Sequence, residues 1–125
     1  MTRSAVLLSL VLALVGCSRR PPAGPVTARD PAEVAVIVES QYAGLVTVYL
    51  DASGSTTRLG EVHFQESRSF VVPWRTFGDG GSPRLRGEVI GSSERVVTND
   101  LQVSPGSVVR WTLTPRLSMS YYAVY

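Results

Sequence analysis

Residues 103–113, Val-Ser-Pro-Gly-Ser-Val-Val-Arg-Trp-Thr-Leu, hold a turn and a strand side by side. Pro105 and Gly106 occupy the two central positions that a type II turn favours, because proline presets φ near −65° and glycine accepts the positive φ that follows. Beyond the turn, Val109, Trp111 and Leu113 alternate with Val108, Arg110 and Thr112, which is the period of a strand with one face buried. The same period recurs upstream. Val34, Val36 and Val38 share one strand face; Val46, Val48 and Leu50 share another, with Thr47, Tyr49 and Asp51 opposite.

Turn signals divide the remaining chain in the same way. Residues 40–44 separate the first two strands, and residues 52–55, with Gly54, close a hairpin into a strand over 56–64. The spacing from Leu59 to Val62 breaks alternation at Gly60, which predicts a bulge. Phe70, Val72 and Trp74 line the next strand, and Pro73, lacking an amide donor, assigns it to a sheet edge. Leu85, Gly87 and Val89 alternate with Arg86 and Glu88, Leu101 and Val103 are expected in a strand after a turn at 91–94, and residues 117–125 alternate once more. No stretch of the domain has the 3.6-residue period of an amphipathic helix. The expected fold is all-β: a small antiparallel β-sandwich of seven or eight strands over residues 33–125. The strand layout and the V-x-P-G-x-V-V-x-W run at 103–111 resemble the small immunoglobulin-like or transthyretin-like domains of bacterial envelope proteins.

The 125-residue chain begins differently. Arg3 precedes an uncharged apolar run over residues 5–16, the charge pattern and length of an export signal and too short for a comfortable permanent span. Leu14, Val15, Gly16 and Cys17 resemble the lipobox of bacterial lipoproteins. That resemblance implies a signal peptide over residues 1–16, removal of that peptide, and acylation of Cys17 as a membrane anchor. Ser18 after the cysteine implies, by the same resemblance, sorting to the outer membrane, facing the periplasm. Residues 17–32 follow as lipidated cysteine and spacer. Four of the eight prolines lie in 18–31 and almost no large apolar residue does, so the segment is expected to act as a spacer with polyproline II character, reaching roughly 40 Å at about 3.1 Å per residue.

Charge and residue inventory restrict function. Twelve basic side chains, all arginine, against ten acidic ones leave a net charge of +2 without a basic block, which argues against nucleic acid as partner. The single cysteine excludes an intramolecular disulfide. His63 is the only histidine; with Glu61 it falls short of the three or four ligands a metal site needs, and no metal or other cofactor is expected. A hydrolase would have to use His63 as its base, yet no G-x-S-x-G elbow is present. Acid pairs such as Glu88 with Glu94, or Asp51 with Glu61, have the chemistry to flank a glycosidic bond, but solvated carboxylates are the ordinary reading.

The Gly-rich stretch over 77–82, flanked by Trp74, Arg75 and Arg84, is expected to be the longest loop. Two readings compete for it: a contact surface, since loops on a rigid scaffold often carry binding, or a connector whose Trp74 and Phe77 cap the core. Candidate contact residues for a ligand or partner are Trp74, Arg75, Phe77, Asp79 and Tyr122, with no catalytic residue assigned. The expected function is a non-catalytic, lipid-anchored cell-envelope module that binds or scaffolds another envelope component, a protein or a glycan. A carbohydrate- or peptidoglycan-binding module is the alternative.

Overall fold

The computed structural model describes residues 33–78 and 82–125. Eight strands run through them: β1 (Glu33–Ser40), β2 (Val46–Ala52), β3 (Ser55–Val62), β4 (Ser67–Pro73), β5 (Arg84–Val89), β6 (Arg95–Val97), β7 (Val108–Leu113) and β8 (Tyr121–Val124). Single 3₁₀ turns occupy Trp74–Phe77 and Leu117–Met119. The strands form two four-stranded sheets, ordered β4-β1-β7-β8 and β3-β2-β5-β6. The fold is therefore a small all-β sandwich.

Alternation explains the burial. Val34, Val36 and Val38 of β1 and Val109, Trp111 and Leu113 of β7 point inward from one sheet, and Val46, Val48 and Leu50 of β2 and Leu85 of β5 meet them from the other; all are buried. Gly87, in the middle of β5, fits this packing by its size. A Cβ there would sit 3.0 Å from Val46 and 3.3 Å from the indole of Trp111, so the absent side chain is the space the large ring needs.

The turns follow their residues. Ser53 (φ 51°) and Gly54 (φ 75°) are both left-handed, the type I′ geometry whose twist matches a two-residue hairpin. At 104–107 the Ser107 amide donates to the Ser104 carbonyl at 3.0 Å with Gly106 at φ 87°, the expected type II turn. The bulge is present too: Val48 pairs with Gly60 and Tyr49 with Arg58, leaving Leu59 as the extra residue. Pro73 ends β4, an edge strand, where its missing amide costs no ladder bond.

Three expectations need correction. The sheets are not wholly antiparallel, because β1 and β7 pair in parallel from Ala35↔Val108 to Ser40↔Leu113. β6 returns the chain to the end where β1 starts, and the segment 98–107 crosses there from one sheet to the other, so β7 leaves that end in the same direction as β1. Trp74 lies past the end of β4, in the 3₁₀ turn. Leu101 and Val103 belong to no strand; the strand after the 91–94 turn is Arg95–Val97, paired with Arg86–Glu88. Leu101 is buried all the same, held by its amide to the Pro83 carbonyl at 2.7 Å.

Candidate functional site

The sandwich has two ends. At one lie the start of β1, the 53–54 hairpin tip, the 3₁₀ turn after β4 and the segment 98–107; at the other lie the connections 41–45, 63–66, 90–94 and 114–120. The sequence-predicted contact residues divide between the first end and the sheet interior.

Trp74 and Phe77 stack, with ring centroids 5.7 Å apart and planes inclined by 19°. Pro73 presets the extended entry to this turn, and the Gly78 amide closes it on the Arg75 carbonyl at 3.2 Å. Phe77 turns inward and is only 1% exposed, so it caps the core and does not offer an open contact surface. Trp74 is half-buried over it, and Arg75 is exposed. Asp79 and Cys17 lie outside the described residues. Tyr122 points inward on β8, paired with Trp111, three strands away from β4 in the sheet; it is half-buried against the core and is not brought near Trp74. Its neighbours Tyr121 and Tyr125 are the exposed rings of that edge.

Beside Trp74 runs a cleft of about 260 Å³, whose lining includes Gly78, Ser82, Asp100, Gln102 and Val103. Its far wall is the segment 98–107, which exceeds the stretch between Phe77 and β5 in length and so replaces it as the longest connection. That wall is tied to β5. The buried Thr98 accepts from the Leu85 amide through Oγ1 at 3.0 Å and donates its own amide to the Leu85 carbonyl at 2.9 Å, while Arg84 Nε donates to Asp100 at 2.6 Å. An aromatic face beside a carboxylate, an amide and a hydroxyl is a surface suited to a ring-shaped polar ligand.

The acidic residues weighed as acid pairs have other partners. On the outer face of the β2–β5 pair, Arg86 lies over the Tyr49 ring at 4.6 Å and binds Asp51 through two nitrogens, at 2.9 and 3.2 Å, while also reaching Glu88. Loss of water around Asp51 acts to raise its pKa, but hydrogen bonds from Arg86 and Thr56, with the charge of Arg86, outweigh this and hold the carboxyl below its usual value. The bond to Asp51 raises the pKa of Arg86, against the opposing effect of burial. Glu61 pairs with Arg58 at 2.8 Å, and Glu94 accepts from the Tyr42 hydroxyl at 2.6 Å, which together with burial raises the pKa of that phenol. His63 is exposed just past the end of β3. Among the described residues no three His, Cys, Asp or Glu side chains group as metal ligands would.

No protein-family model matches the chain, and no curated protein matches it.

Proposed function

We propose that this chain is a lipid-anchored cell-envelope protein whose β-sandwich binds or scaffolds another envelope component without catalysing a reaction, held at the outer membrane and facing the periplasm. The observation that carries the reading is the apolar run 5–16, which closes on Leu14, Val15 and Gly16 and is followed directly by Cys17. One acyl chain gives only marginal membrane binding, whereas the two or more that the lipobox resemblance implies would hold the protein firmly. Of the two families that the strand layout resembles, the sheet order speaks against the immunoglobulin arrangement, which keeps its first, second, fourth and fifth strands in one sheet. The transthyretin-like likeness is the one retained. In this reading residues 18–32 join the anchor to the end of the sandwich that bears the Trp74 cleft.

The test is Cys17→Ser followed by membrane fractionation, with crosslinking in intact cells for the partner. Loss of processing and of membrane retention, together with a discrete crosslinked envelope protein in the unsubstituted chain, is expected. Unchanged retention refutes the anchor, and the absence of any specific adduct refutes scaffolding.

A glycan-binding reading is supported by one feature, the half-buried indole of Trp74 beside Asp100, Gln102 and Ser82 in one cleft. Cell-wall fragments should then change the intrinsic fluorescence, and Trp74→Phe should abolish the change because Trp111 is buried. A signal that does not move on adding glycans removes this reading.

A further inference from the structure

At the end of the sandwich opposite Trp74, three connections remote in sequence meet around a cleft of about 450 Å³. The crossover from β1 to β2 contributes Tyr42, the β5–β6 hairpin contributes Glu94 and Arg95, and the link from β7 to β8 contributes Arg116, Leu117 and Ser118. Leu117 is buried in the core, so the half-buried Tyr42 ring and the exposed Pro115 give this cleft its apolar lining beside the charged one.

The charges are arranged unusually for this molecule. Arg58, Arg68, Arg84, Arg86 and Arg110 each lie within ion-pair distance of a carboxylate, whereas Arg75, Arg95 and Arg116 are exposed and make no ion pair among the described residues; Arg75 lies at the opposite end, and Arg95 and Arg116 share this cleft. A guanidinium carries five donors in a fixed fork that matches a carboxylate, and it loses this match to no other acceptor here. Glu94 shares the cleft, with one oxygen taken by the Tyr42 hydroxyl at 2.6 Å. Glu88, which faces Arg95 across the β5–β6 pair, is bound by Arg86, so within the lining two guanidiniums stand against the one carboxylate of Glu94 and leave a single excess positive charge, which balances a monoanion. A phosphate dianion would add a second negative charge beside Glu94.

We propose that this cleft binds the free-carboxylate end of a short peptide. Arg95 and Arg116 hold the terminal carboxylate, the second oxygen of Glu94 and the Ser118 hydroxyl accept from peptide amides, and the Tyr42 ring with Pro115 takes the adjoining side chain. The site stands on the geometry of the sandwich and does not depend on acylation of Cys17 or on any use of the Trp74 cleft.

The test uses the native protein purified in detergent with ¹⁵N-labelled arginine, followed by NMR at the Nε–Hε resonances. The probes are acetyl-Ala-Ala with a free carboxylate, its C-terminal amide, inorganic phosphate and glucuronate. The free acid should shift the Arg95 and Arg116 signals saturably with a dissociation constant of about 1 mM, and the other three probes should bind at least tenfold more weakly, roughly the effect of losing one charge-assisted contact. R95Q and R116Q should each weaken the acid about tenfold, while R75Q, at the opposite end, should leave it unchanged. Because both substitutions are at exposed positions, the remaining amide spectrum serves as the folding control. The proposal is overturned if the free acid produces no saturable shift, if the amide, phosphate or glucuronate binds as tightly, or if R95Q and R116Q bind the acid as the parent does.

Discussion

Replacing Phe77 by alanine separates a core ring from a contact ring. The side chain is 1% exposed and stacked on Trp74, and it closes the core at the end of the sandwich where β1 begins. A buried phenyl ring removes on the order of 150 Å² from water, about 4 kcal/mol at ~25 cal/mol per Å². Trp74 is only half-buried and has room to settle into the vacated space, which places the loss at the low end of the range for such truncations, about 3 kcal/mol. In a domain of this size that lowers Tm by about 15–20 °C. Urea unfolding followed by far-ultraviolet circular dichroism, with the fluorescence of buried Trp111 as a second probe, measures it as a fall in midpoint at constant slope. Arg75→Ala, exposed in the same turn, should change stability by less than about 0.5 kcal/mol. A loss below about 1 kcal/mol for Phe77→Ala would refute the placement of this ring in the core.

Three further outcomes follow from the same structure. Gly60→Val should cost about 1–3 kcal/mol by overpacking, since a Cβ at Gly60 would lie 2.7 Å from Phe70 Cε1; an unchanged urea midpoint would contradict the bulge geometry. Asp51 has a folded pKa below its unfolded value, so its contribution is present above about pH 4 and is lost as pH falls through the lowered folded pKa. Asp51→Asn should therefore lower Tm at pH 7 and converge with the parent in acid, and parallel Tm profiles for the two would remove Asp51 from the account. Arg86→Met should lower Tm through the loss of its contacts to Asp51 and to the Tyr49 ring, by more than Arg58→Met does at the exposed Glu61 pair; equal small shifts in calorimetry would show that the outer face of β2 and β5 is energetically silent.

Much of the fold is written in local pattern. The valines of β1 and β2, the Leu-x-Gly-x-Val of β5 and the Val-x-Trp-x-Leu of β7 alternate because one face of each strand is buried, and the Pro-Gly and Ser-Gly turns carry their own φ requirements. The parallel contact of β1 with β7 leaves no local trace, since it joins residues some seventy positions apart through a long crossover. β6 is three residues long, too short to show a period, while Leu101 and Val103 alternate without entering a sheet because a hydrogen-bonded connection buries Leu101 instead. At the Trp74 end, composition identified an aromatic turn next to glycines but carried no sign of which ring points inward. Tyr42, Arg95 and Arg116 gave no signal as a group, because three separate turns bring them together and only the tertiary structure shows which arginines lack a carboxylate.

The central claim is a β-sandwich tethered through acyl chains on Cys17, and intact-mass spectrometry of the protein extracted from its native membrane tests it most directly. The account predicts a chain beginning at Cys17 whose N-terminal peptide carries the added mass of at least two fatty acyl groups. A chain still beginning at Met1, or one with an unmodified thiol at Cys17, would contradict it.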